Sequence, residues 1–331
     1  MLKYTARRLL ISVPVLIAAS FLCFALTTAM GDPLGEWKLQ RPRTPAEIAY
    51  AEHRAGLDKP LLTRYEHWAT NFVRGDWGTT VTPGNGTQDV KRKVVHASWV
   101  SIRLLLGAEI IALIVGILVG VLGAVRQYSA FDYVATGFAF TMFSMPLFCV
   151  AVMIKYVGID FNDVLQDLGF GRWLRTAGPP NGGFSGGLTD QLYQYTGTYL
   201  LPTICLVALQ FALYSRFQRA SMLETMNADY VRTAYAKGLS QVRVLFRHAF
   251  RNALIPITTL SALSFGGVIA GAVITETVFA WQGMGQLLID AVYKKEPYLL
   301  LGFLMVTAVA TILFNLIADI MYAVLDPRIR L

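Results

Sequence analysis

The chain reads as an all-α membrane protein: six transmembrane helices with an extracytoplasmic insert between the first two. Three observations predict this. Of 331 residues, 55% are hydrophobic and only 15% charged, against about a quarter charged in a soluble domain. Apolar runs of roughly 20 residues, the length that crosses the hydrocarbon layer as a helix, recur along the chain. Lys and Arg gather in particular segments between those runs, above all at 216–256.

The runs place the spans at about 9–30, 99–125, 132–157, 199–215, 257–280 and 298–324. The first run, Leu9 to Met30, follows Lys3, Arg7 and Arg8 and so invites a signal-peptide reading. It is longer than a signal's apolar core and closes on no small-residue cleavage pattern, which predicts a retained span. An even number of spans puts both termini on one side. With the termini cytoplasmic, the inner face receives Arg126 and the loop from Arg216 to Pro256, whose seven Lys and Arg residues outnumber Glu224 and Asp229. The positive-inside rule selects that orientation.

The insert at 31–98 carries Trp37, Tyr50, Tyr65, Trp68, Phe72 and Trp77 and is expected to fold as a small subdomain. The loop at 158–198 carries Pro179-Pro180-Asn181-Gly182-Gly183 and Gly186-Gly187, a composition that favours turns and mobility over packing. The expected organisation is 1–30, the N-terminus and first helix; 31–98, the insert; and 99–331, a core with helices 2 to 6. The net charge of +8 is explained by topology, since no basic patch interleaves with aromatics in a soluble module. No nucleic-acid partner is expected. Cys23, Cys149 and Cys205 fall inside apolar runs, where thiols behave as small hydrophobes, and their spacing suggests no disulfide or metal site.

The most informative stretch is the inner loop at about 229–256. Asp229 is expected to cap a short helix beginning near Tyr230, Gly238 to end it in a left-handed turn, and a second amphipathic segment to run from about Ser240. By charge alone this reads as an ordinary basic juxtamembrane loop that binds anionic headgroups.

The order of residues adds more. Thr233-Ala234, three residues, then Gly238 resembles the cytoplasmic EAA loop of ABC importer permeases, with Arg232 at the glutamate position. Arg251 stands where the wider family has proline, within Arg251-Asn252-Ala253-Leu254-Ile255-Pro256. Both departures resemble the B-type permease of the dipeptide and oligopeptide (Dpp/Opp) branch. Tyr4-x-x-Arg7-Arg8, Arg74-Gly75-Asp76-Trp77-Gly78, Glu276-Thr277-Val278-Phe279 with Gly283 and Gly285, and Asp319-x-x-Tyr322 with Asp326-Pro327-Arg328 resemble its other signatures in order. The resemblance implies the type I ABC importer permease fold in a prokaryotic inner membrane and uptake of peptides, with nickel or glutathione as same-branch alternatives. It implies a C-type sister permease, ATPase subunits or a fused double ATPase, and an extracytoplasmic substrate-binding lipoprotein. The chain has no Gly-x-x-x-x-Gly-Lys-Ser/Thr loop. ATP and Mg are therefore expected on partner subunits, with no cofactor and no catalysis in this chain. By the same resemblance Tyr230, Thr233, Ala234, Lys237 and Gly238 are the expected coupling residues, Ala234 and Gly238 offering a small-residue docking face.

Polar groups inside a membrane are costly and mark candidate pathway residues. Glu109, Gln210, Glu276, Asn315 and Asp319 meet that test. Their other reading is helix–helix glue. Lys155 and Arg103, near span ends, are expected to snorkel. Gly183-Phe184-Ser185-Gly186 matches the Gly-x-Ser-Gly of intramembrane serine proteases. Ser185 lies in a polar outer loop, however, with no histidine placed to serve it. A secondary transporter is the remaining alternative; it would need mid-membrane coupling carboxylates and no ATPase.

Overall fold

The computed structural model describes residues 2–29, 31–40, 42–81, 88–179, 184–271 and 273–325; side chains at 2–9, 36, 40, 262–263, 265–271 and 318–325 fall outside that description. Among the described residues the chain is all-helical. The helices are α1 (Leu2–Ala29), α2 (Gly35–Gln40), α3 (Pro45–Arg54), α4 (Leu61–Val73), α5 (Val90–Val125), α6 (Ala130–Ser144) and α7 (Leu147–Asp167). They continue with α8 (Leu188–Met226), α9 (Asp229–Ala236), α10 (Gln241–Val244), a π-helical turn (Leu245–Phe250), α11 (Arg251–Gly271), α12 (Val273–Val278), α13 (Met284–Tyr293) and α14 (Pro297–Leu325).

Helices α1, α5, α8 and α14 are long and apolar enough to cross a membrane, and α6 with α7 adds a fifth crossing if the pair is one broken span. The expected third span is thus two helices meeting at 112°. Pro146 supplies no backbone N–H and drives Met145 into extended backbone at φ −84° and ψ 135°, which ends α6. The expected fifth span falls on α11 and α12, which are not among these crossings over the described residues. The fourth run, expected at 199–215, belongs to a helix of 39 residues. At 1.5 Å per residue it is about 58 Å long, so it continues well beyond a hydrocarbon layer of about 30 Å.

The chain divides into two compact units, one formed by 1–101, 269–273 and 282–312, the other by 102–268, 274–281 and 313–331. In the first, the described residues of 31–81 fold as three helices, and α5 begins at Val90, within the 31–98 segment expected as the insert. Thr44 and Glu47 close a reciprocal capping box on α3, with Pro45 at its first turn. Leu34, Trp37, Ala51 and Val81 form one cluster. Trp68 of α4 packs with Phe24 of α1 and Leu301 of α14. Lys38 bridges Asp32 at 2.8 Å and Glu52 at 2.7 Å. Burial pushes the Asp32 carboxyl up, yet Lys38 and the Leu34 N–H together hold it below its ordinary range.

In the second unit α8 packs against several neighbours at backbone distance. A Cβ on Gly116 of α5 would fall 2.6 Å from the Tyr214 Cβ, and one on Gly120 would fall 2.7 Å from the Ser215 carbonyl oxygen. Gly158 of α7 leaves similar room for Leu201. The described part of the loop after α7 is packed at 174–175. Asn162 donates to the Leu174 carbonyl at 2.6 Å and accepts its N–H at 2.8 Å. The Arg175 N–H donates to the Gly197 carbonyl at 2.9 Å. Residues 180–183, whose Pro-Gly composition prompted the expectation, lie outside the described residues.

A glycine-to-alanine change in an open helix interior gains about 1 kcal/mol in propensity, whereas overpacking costs about 1–3 kcal/mol. At Gly120 the obstacle is backbone, which cannot swing aside, so Gly120→Ala should lower the thermal midpoint of the purified complex. Gly107→Ala, on the same helix with nothing within 4 Å of its added Cβ, should leave it unchanged or raise it.

Candidate functional site

Helix α9 hangs from the end of α8 by the corner Asn227-Ala228. Its N-cap is Ala228, not Asp229, and no side-chain capping bond is made. Asp229 is the first helical residue, with its carboxylate exposed and 3.8 Å from Arg232. It still places negative charge at the positive end of the helix. The other end is the expected left-handed turn, Gly238 having φ +77°. Gly238 N–H donates to the Tyr235 carbonyl at 2.9 Å and Leu239 N–H to the Ala234 carbonyl at 3.4 Å. These are the two bonds of a Schellman cap, and Leu239 supplies its apolar contact.

Val231 and Ala234 are buried against Met222 of α8, Val244 of α10, Ala249 of the π turn and Ala253 of α11. The small-residue docking face expected from Ala234 is therefore turned inward, with Ala234 only 5% exposed. Tyr230, Arg232, Thr233, Tyr235, Lys237 and Gly238 form the exposed side. Sequence reasoning missed Arg232 and Tyr235 as surface partners of the others. The signal was the three-residue spacing of Val231 and Ala234, which marks the inward stripe of a short helix. The Ser240 segment begins α10 as expected and runs through the π turn into α11. Ser221 of α8 donates to the Ala253 carbonyl at 3.1 Å and ties α11 to α8.

Close by in sequence, Arg219 of α8 grips Asp132 of α6 with two bonds, Nε to Oδ1 at 2.6 Å and Nη2 to Oδ2 at 2.8 Å. Asp132 also accepts the Tyr128 N–H at 3.0 Å, and Ser129 caps the Asp132 N–H. Neither residue was an expected site, although Ser129-x-x-Asp132 is a helix-start pattern legible in the sequence. A bidentate guanidinium–carboxylate pair fixes orientation as well as distance. It holds the first turn of α6 to the stretch of α8 that leads into α9.

Two of the five intramembrane polar candidates meet. Gln210 Nε2 donates to Glu109 Oε2 at 3.0 Å. Tyr214, one turn further along α8, donates its hydroxyl to the other oxygen of Glu109. Glu109 is 2% exposed, and this geometry is that of interhelical glue. Tyr214 was missed; its four-residue spacing from Gln210 puts both on one helix face. Glu276 is fully buried on α12, Asn315 is half-buried on α14, and the Asp319 side chain lies outside the described residues. Lys155 does not snorkel: its Nζ donates to the Val278 carbonyl at 2.7 Å and satisfies the C-terminal end of α12.

Removing one partner of a buried pair strands the other, a loss of about 3–5 kcal/mol in buried cases. Arg219 is 28% exposed against 4% for Asp132, so the loss for Arg219→Gln should fall below that range while remaining measurable as a lower thermal midpoint. Joined with Asp132→Asn it should cost less than the sum of the single changes. Strict additivity would show that the pair is not coupled.

Residues 113–331 match the family model described as binding-protein-dependent transport system inner membrane component. Residues 1–95 match the model of that family's N-terminal part. The chain is 35% identical to the oligopeptide transport system permease protein OppB of Mycobacterium tuberculosis, covering all of this chain and 99% of that protein. It is equally identical, with the same coverage, to the dipeptide permease DppB of Escherichia coli K12 and to the di/tripeptide permease DppB of Pseudomonas aeruginosa. With matched regions running from the first helix through the buried stripe of α9 to the C-terminus, the chain belongs to the binding-protein-dependent transport system inner membrane component family.

Proposed function

We propose that this chain is the transmembrane permease subunit of an ATP-driven peptide importer, forming half of a translocation pathway. The observation that carries this is identity of 35% over the full chain to permeases of oligopeptide, dipeptide and di/tripeptide transport systems. In this reading the chain crosses the inner membrane six times, α11 with α12 making the fifth crossing, and both termini are cytoplasmic. The segment 31–98 is extracytoplasmic, and 99–331 is the permease core. ATP and Mg bind partner ATPases. A homologous C-type permease completes the pathway, and an extracytoplasmic lipoprotein delivers peptide.

The exposed side of α9 is the coupling surface. Tyr230, Thr233, Lys237 and Gly238 act with Arg232 and Tyr235 to meet the ATPase, while Ala234 with Val231 anchors the helix to its own chain. A helix is rigid because its hydrogen bonds are internal. Movement imposed on the exposed side therefore passes through Val231, Ala234 and Leu239 to α8 and α11. Glu109, Gln210, Glu276, Asn315 and Asp319 remain candidates for the pathway, the first two also serving as glue.

Leucine at Gly238 has room, since nothing lies within 4 Å of an added Cβ, but it must adopt φ near +77°, which costs about 1–2 kcal/mol for a non-glycine residue. Gly238→Leu should leave the complex assembled while uptake falls and ATPase activity ceases to respond to loaded binding protein. Normal transport by this variant would refute the coupling assignment. For topology, cysteines at Ser240 and Ser185, both exposed, should react with a membrane-impermeant maleimide from opposite sides. Labelling from one side would sink the six-span arrangement.

A further inference from the structure

The first unit contains a cavity of about 430 Å³ bounded by α3, α4, the 76–81 segment and Tyr298 at the start of α14. Its size falls within the range of small-molecule sites, about 300–1,000 Å³. Trp37, Tyr50, Trp68 and Tyr298 give it aromatic walls. Two guanidiniums also line it. Arg43 lies over the Trp37 ring at 4.0 Å, and its Nε is buried without a hydrogen-bond partner. Arg54, at the end of α3, is exposed. Among the described residues neither arginine has a carboxylate partner. Trp68, 5% exposed, likewise keeps its indole N–H without a partner.

Buried donors left without acceptors are uncommon and call for an acceptor that completes them. The acidic groups of the cavity do not fill that role. Glu47 closes the capping box with Thr44, and Asp76 accepts the Gly78 N–H at 2.9 Å through Oδ1. What fits is a carboxylate, to which a guanidinium fork donates two parallel bonds, joined to an apolar side chain for the aromatic walls. Asp76 offers its second oxygen to a cation at the far end of the same molecule.

We propose that this cavity is a binding site for a short zwitterionic peptide, its α-carboxylate held by Arg43 and Arg54, its ammonium facing Asp76, and a side chain resting on Trp37 and Trp68. The choice of ligand rests on the peptide-importer reading; the site does not depend on the binding protein. The insert thereby gains a direct role in holding peptide on the outer face.

The test uses the assembled permease–ATPase complex in nanodiscs without binding protein, titrated calorimetrically with Ala-Phe and with Ala-Phe amide. Ala-Phe should bind saturably, and the amide about tenfold more weakly, as loss of a charge-assisted bond requires. Arg43→Gln and Arg54→Gln should each cost a similar factor for Ala-Phe and little for the amide, with unchanged thermal midpoints. The acid–amide comparison needs no variant, so a folding defect at Arg43 cannot obscure the result. No saturable binding, equal binding of acid and amide, or unaltered affinity in both variants would overturn the site. So would loss of binding-protein association in Arg43→Gln without direct peptide binding, which would make the cavity a protein dock. Peptide uptake by the complete system in proteoliposomes separates the two readings: uptake without direct binding ends this site alone, and absent uptake ends the importer assignment.

Discussion

Helix α8 holds the second unit together because glycines on its neighbours let backbone meet backbone. In lipid the hydrophobic effect does not drive helices together, so association depends on close van der Waals contact and interhelical polar bonds. Gly116 and Gly120 provide the first on α5, and Gly158 on α7. Gln210 and Tyr214 provide the second through Glu109, and Arg219 through Asp132. These contacts run along the same 39-residue helix from Leu201 to Arg219.

That arrangement gives α9 a firm mounting. The helix has eight residues, too few to be stable alone. It is kept helical by its Schellman cap and by burial of Val231 and Ala234 against helices that α8 also anchors. The π turn follows α10 and leads into α11. Such turns are frequent at functional sites, and this one joins α10 to a proposed span without a flexible linker.

The 31–81 segment works by different physics. Its stability comes from aromatic clusters, a capping box and the Lys38 bridge, the means of a small soluble domain. Glu296, 3% exposed, accepts the Val81 N–H at 2.7 Å and ties the segment after α4 to the residue before α14. The same fold leaves Arg43 and Trp68 donors unsatisfied, a local cost that a stable subdomain tolerates most readily at a binding site.

The sequence by itself determined the helical membrane class, the short helix at 229–236 and its glycine stop. Each depends on local quantities: apolar run length, or the one residue type that adopts positive φ without strain. It also contained Pro146, which breaks the third run, but hydropathy averages over a window and does not register a single missing N–H. Which face of α9 is outward, which residue receives the carboxylate of Glu109, and where Lys155 sends its charge were decided only by tertiary structure. Those outcomes depend on which helices lie side by side. Partners 101 and 123 residues apart, such as Glu109 with Gln210 and Lys155 with Val278, leave no periodicity in a single chain.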